Sequence, residues 1–219
     1  MPRVLFEKKG NAIWISHLDL MRVFQRAFKR AGLPLTHSQG FNPRPSVSIA
    51  LPLSVGVESN CELLDFDLYG EPVSAEEIQL RLNAALIDGV RVLSVYDNGS
   101  KIKNLAFLDC EVFFEYDQGI PEGALEQIRQ LFSRSEVIVE KKTKNGIEEE
   151  NIIPMIRRIS VAKADENMIV IHALVCCQNP TLNPMQLNAA VTKYIPEIVP
   201  DFVKCRRIEI YDCNEMLFR

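Results

Sequence analysis

Hydrophobic residues recur along this chain at two periods, and each change of period marks an element. Between Ser16 and Ala31, the residues Leu20, Phe24, Ala27, Phe28 and Ala31 keep the spacing of one helical face. Ser16-His17-Leu18-Asp19 precedes them in the Ser/Thr-x-x-Asp/Glu pattern of a capped helix start, and Gly32 and Pro34 end the run. Upstream, Val4-Leu5-Phe6 reads as a strand closed by the turn signal Gly10-Asn11. Downstream, residues 35–45 (LTHSQGFNPRP) are rich in turn formers. Strands are predicted near Val47–Leu51 and Cys61–Tyr69. In the second, Leu64, Phe66 and Leu68 alternate with Asp65 and Asp67. Ser74 and Glu77 start a second helix with Ile78, Leu82, Ala85 and Leu86 inward, and Val90–Tyr96 returns to strand.

The same order of elements recurs in the second half. Leu108–Tyr116 is a strand, and Pro121 opens a helix with Leu125, Ile128, Leu131 and Phe132 on one face. Glu136–Lys142 is a strand, and Asn145-Gly146 signals a hairpin onto Ile147–Asn151. Met168–Cys176, a helix from Pro184 with Leu187, Val191 and Tyr194, and Phe202–Tyr211 complete it. The chain therefore reads as an α+β protein of two tandem ferredoxin-like (βαββαβ) units with antiparallel sheets. The N-terminal unit covers residues 1–98 and the C-terminal unit 104–219, with a linker near Asp97-Asn98-Gly99-Ser100 and an insertion at 147–163.

Composition is ordinary for a globular chain of 219 residues, with 47% apolar and 25% charged residues. No apolar run approaches the roughly 20 residues of a membrane span, and the charged start lacks a signal-peptide pattern, so a cytoplasmic protein is expected. The six cysteines form no Cys-x-x-Cys pair and read as buried thiols rather than metal ligands. No cofactor or metal is expected. Glu58, Glu62, Asp65 and Asp67 read as the polar side of a strand and its approach.

Charge is what changes the picture. Residues 1–50 hold eight Lys/Arg against two Asp/Glu, a balance of +6; residues 51–219 hold 17 against 27, a balance of −10. At 100° per residue, Arg22, Arg26, Lys29 and Arg30 share the helix face opposite Leu20 and Phe24. Such a stripe suits phosphates, through released counterions and charge-assisted hydrogen bonds. The following loop adds His37, Ser38, Asn42 and Arg44, dense in donors and braced by Pro43 and Pro45. Few aromatics lie on the stripe, so base stacking is not expected there. His17, at the start of the helix, reads as a buried, hydrogen-bonded structural histidine. His17 and His37 are the candidate acid and base of a metal-independent endoribonuclease, should they converge in space.

Several runs together resemble the radical-SAM-linked protein family. They are Ile15-Ser16-His17-Leu18-Asp19-Leu20-Met21-Arg22, Lys29-Arg30-Ala31-Gly32-Leu33-Pro34, Ser38-Gln39-Gly40-Phe41-Asn42-Pro43-Arg44-Pro45, Pro52-Leu53-Ser54-Val55-Gly56 and Glu62. The resemblance is dense over residues 3–70. It implies an accessory or substrate-handling part of a radical-SAM system, with a separate radical-SAM protein and RNA or a ribonucleoprotein as partners. An alternative is a protein-interaction subunit that binds no nucleic acid. The cluster-binding Cys-x-x-x-Cys-x-x-Cys triplet is not in this sequence, so cluster binding is not implied. Relatives often carry His where this chain has Arg44. The paired βαββαβ layout is also similar to that of CRISPR repeat-processing endoribonucleases, as an analogy of fold.

Overall fold

The computed structural model describes residues 1–143 and 146–219, without the side chains at 142 and 143. It divides into two compact units, one of residues 1–102 with Arg219, the other of residues 103–218.

In the first unit the elements are β1 (Arg3–Lys8), α1 (His17–Arg30), β2 (Val47–Ile49), β3 (Val57–Phe66), α2 (Ala75–Ala85) and β4 (Val90–Tyr96). Their sheet runs β4-β1-β3-β2, with every pair antiparallel. The predicted caps form: Ser16 and Ser74 each accept the backbone N–H three residues on. The apolar stripe of α1 lands on the sheet. Phe24 meets Phe6 edge-on at 4.7 Å between ring centres, and Phe28 lies 5.0 Å from Phe66. All four rings are wholly buried.

Arg3 does not behave as a surface cation. Its guanidinium grips Asp65 through Nε at 2.6 Å and Nη2 at 3.1 Å, and donates to the Ser100 carbonyl at 2.9 Å. The linker residue Gly99 passes so close that a Cβ there would sit 2.8 Å from Arg3 Nη1. The predicted linker is thus fastened to its own unit by one charge-assisted hydrogen bond, from a guanidinium that a forked ion pair to Asp65 holds in place.

In the second unit the elements are β5 (Leu105–Glu115), α3 (Ala124–Phe132), β6 (Ile138–Thr143), β7 (Gly146–Asn151), β8 (Ile156–Asp165), β9 (Met168–Cys176), α4 (Met185–Tyr194) and β10 (Phe202–Asp212). The strands β10-β5-β9-β8 are neighbours in that order, all antiparallel. β6 and β7 pair only with each other. Asn145 of the expected hairpin signal lies outside the described residues.

The second half departs from the sequence reading at the start of α3, which begins at Ala124 and not at Pro121, and further in its strands. Glu136–Lys142 was expected to follow α3 as a sheet strand, and residues 147–163 to be an insertion. Instead β6 and β7 stand apart as a hairpin, and the sheet strand is β8. The reason is position. β8 pairs with β9 alone and so lies at the edge of this unit's strands, where exposed Arg157, Arg158 and Lys163 are tolerated and hide the strand pattern. β6 has the cleaner pattern because Val137 and Val139 are buried beside α4, where the Tyr194 hydroxyl accepts the Ile138 N–H at 2.9 Å.

None of the six cysteines is in a disulfide among the described residues. Cys61, Cys110, Cys177 and Cys205 are buried as expected, Cys176 is half-buried, and Cys213 is exposed. Burial pushes the Cys177 thiol up to about 12 and that of Cys205 up to about 11. Because the thiolate is the reactive form, brief iodoacetamide treatment of the native protein at pH 8 should label Cys213 and spare these two. Peptide mass spectrometry that found Cys177 or Cys205 modified as fast as Cys213 would contradict this packing.

Candidate nucleic-acid interface

The site is built on α1. The Ser16 cap is doubled, for its hydroxyl also donates to the Asp19 carboxylate at 2.7 Å. That bond and the one from Arg22, also 2.7 Å, hold the Asp19 carboxyl below the usual carboxylate range. With Leu20, Phe24, Ala27 and Phe28 held inward, Arg22, Arg26, Lys29 and Arg30 are left on the exposed side. Arg22 is bound to Asp19, and Arg30 donates to the Ala85 carbonyl. Among the described residues, Arg26, Lys29 and Arg44 form no ion pair.

The loop after α1 is ordered by its own backbone. Thr36 donates its N–H to the Asp67 carbonyl at 2.9 Å and its hydroxyl to the Asp67 carboxylate at 3.0 Å. Ser46 N–H reaches the Thr36 carbonyl at 2.8 Å, and Ser38 N–H the Arg44 carbonyl at 2.9 Å. Arg44 N–H returns to Ser38 Oγ at 3.0 Å. Residues 36–38 and 44–46 are thus the stem of a small hairpin with residues 39–43 at its tip. Gly40 turns that tip at φ +133°, in the region that favours glycine.

This geometry sorts the predicted site residues. Lys29 and His37 are brought together: both line a cleft of about 480 Å³ between the C-terminal part of α1 and the hairpin stem. Arg44 and Asn42 are exposed on the same hairpin. Ser38 is a stem residue, its hydroxyl engaged by Arg44. Arg22 and Arg26 lie further along the same helix face.

His17 and His37 are not brought together. His17 opens α1, whereas His37 shares a cleft with Lys29, about 18 Å of helix rise away. They form no acid–base pair. His17 also departs from the expected hydrogen-bonded histidine, since its Nδ1 is enclosed without a hydrogen-bond partner.

Sequence reasoning did not single out four residues as functional. Gln25 and Leu35 line the cleft with Lys29. Phe41, at the hairpin tip, is fully exposed, and Trp14, just before α1, is 60% exposed. The available signal was Phe41 itself, a large apolar residue in a turn with no periodic apolar neighbour. Glu62 was read as strand polar surface. It is buried, and accepts the Ser59 hydroxyl at 2.7 Å.

The second unit offers no comparable cationic face among the residues described. Its row across β10, β5 and β9 is balanced: Glu111 pairs with Arg206 at 2.5 Å and faces His172 Nδ1 at 3.2 Å. Arg157 and Arg158 both bind Glu215. Among the described residues, no group of three or more His, Cys, Asp or Glu could hold a metal ion. None of the described helices is long and apolar enough to cross a membrane.

Comparison with known proteins adds a fold likeness and a family. A chain in the crystal structure of a Cbf5-Nop10-Gar1 complex is similar over 95% of this chain and 48% of its own length, at 10% identity and a TM-score of 0.51. A chain in the structure of an H/ACA RNP bound to a substrate RNA containing 2'-deoxyuridine is similar over 94% and 46%, at 9% identity and a TM-score of 0.48. This protein thus spans about half the length of those chains. No curated protein matches it in sequence. A family profile matches residues 2–184, and the chain belongs to the family described as "Uncharacterized protein conserved in bacteria (DUF2344)".

Proposed function

We propose that this protein is an RNA-binding accessory module that docks phosphates on the outer face of α1 and the hairpin that follows it. The observation that carries this reading is the row of exposed cations Arg22, Arg26, Lys29 and Arg30, extended by Arg44. Its hydrophobic reverse side fixes it to the sheet, so the charges are presented without a folding step. The solved structures speak for fold alone, and the reading rests on this surface. The strand order β4-β1-β3-β2, and its counterpart β10-β5-β9-β8, support reading each unit as ferredoxin-like. A separate radical-SAM protein is the partner that the resemblance of residues 3–70 adds to this reading.

The test is a salt-titrated binding assay with total cellular RNA, wild type beside an Arg22→Ala/Arg26→Ala/Lys29→Ala variant. Each phosphate contact contributes roughly 0.7 to 0.9 to the slope of log affinity against log salt. The variant should therefore bind more weakly, with a slope shallower by about two to three. Equal affinity and equal slope would remove the helix face from the argument. A wild type that binds no RNA at low salt would redirect the search to the protein partner.

A further inference from the structure

The cleft beside Lys29 has a chemistry that the phosphate face does not use. Its floor holds Phe28 and Leu33, both buried, and its walls are Pro34, Leu35 and Pro45. Its polar side chains are those of Gln25, Lys29 and His37. Among the described residues, these three side chains make no hydrogen bond or ion pair. An apolar recess with a few convergent donors and acceptors, within the usual range of roughly 300–1,000 Å³, is the form of a small-ligand site.

What fills it is constrained by its neighbours. Lys29 lines the cleft itself, exposed Arg26 lies one helical turn before it, and exposed Arg44 is the chain neighbour of the cleft residue Pro45. An occupant must be flat and apolar in body, polar at its edge, and attached to negative charge. An unpaired nucleotide has all of these. Phe41 completes the case, for it is fully exposed at the tip of the hairpin whose stem forms one wall. Exposed aromatic rings beside basic grooves serve as stacking platforms for unpaired bases, whereas a paired base presents no free face.

We infer that this cleft, together with Phe41, is a binding site for unpaired nucleotides of RNA. One base enters the recess, where Gln25 and His37 meet its hydrogen-bonding edge. A neighbouring base stacks on Phe41, and the connecting phosphates lie on Lys29 and Arg44. The inference rests on the RNA reading above and adds to it a preference for single strands.

The experiment compares the affinity of the full chain for a 12-nucleotide single-stranded RNA and for the same sequence as a duplex. A parallel sample carries 4-thiouridine at the centre of the single strand for photocrosslinking. The single strand should bind at least tenfold more tightly, and crosslinks should map to peptides holding Gln25, Leu35, His37 or Phe41. Phe41→Ala removes a side chain that supports nothing in the fold. Gln25→Leu/His37→Leu removes two of the cleft's polar side chains at nearly constant volume. Each should lower single-strand affinity about tenfold and leave duplex affinity unchanged, as expected for one lost stacking contact or two lost hydrogen bonds. Equal affinity for the two forms, or crosslinks confined to other peptides, overturns the inference while leaving the phosphate face intact. No RNA binding of either form overturns both.

Discussion

Replacing Lys8 by Met is expected to destabilise the protein by about 3–5 kcal/mol, the cost of breaking up a buried polar group by removing one partner. Lys8 is wholly buried at the end of β1, and its ammonium donates to the Ile15 carbonyl at 2.9 Å. Across the strand pair it faces Ser59, whose hydroxyl donates to Glu62, itself 3% exposed. An ammonium and a carboxylate are therefore both buried within this one strand pair, the ammonium bound to the carbonyl that precedes the Ser16 cap of α1. Met matches the length of Lys but leaves the Ile15 carbonyl without this donor and removes the positive charge that is buried in the same strand pair as the carboxylate. Urea unfolding should show a lower midpoint with an unchanged slope. Glu62→Gln alone should also destabilise, whereas adding it to Lys8→Met should recover part of the loss, because the second charge is then gone too. A Lys8→Met protein within about 1 kcal/mol of wild type, or a double variant with strictly additive losses, would show that the two charges are not coupled.

Phe24→Ala should cost about 3–5 kcal/mol, the usual penalty for emptying a buried aromatic site. The ring is wholly buried and meets Phe6 edge-on, so both its transfer energy and the ring contact are lost. The same substitution two residues on, Arg26→Ala, removes an exposed side chain and should change stability by no more than about 0.5 kcal/mol. The contrast separates the two faces of α1: one holds the helix to the sheet, the other carries the proposed interface. If Phe24→Ala lowers stability by less than Arg26→Ala, the assignment of the inward face is wrong. RNA affinity should respond in the opposite order at temperatures where both variants are folded.

Much of the site was legible in the chain because it lies on local structure. The 3.6-residue period of Leu20, Phe24 and Phe28 determines which way α1 faces, and hence that Arg22, Arg26, Lys29 and Arg30 point outward. Ser16 and Ser74 announce their helices because capping involves residues only three apart. The order of elements in the first unit follows from the same short-range signals. These features depend on neighbours in sequence, and sequence order states those directly.

What only the tertiary structure decided depends on partners distant along the chain. That Lys8 and Glu62 are buried follows from the register of β1 against β3, which no local pattern encodes. That β8, and not β6, joins the sheet of the second unit was hidden because β8 lies at its edge, where a strand tolerates charges that conceal it. The meeting of His37 with Lys29, and the separation of His37 from His17, follow from a hairpin closed by Ser38, Arg44 and Asp67. Spacing along the chain places the two histidines on one short stretch. The rigid length of α1 keeps them apart, and the same rigidity puts Lys29 at the mouth of a cleft that exists only once the hairpin has folded against it.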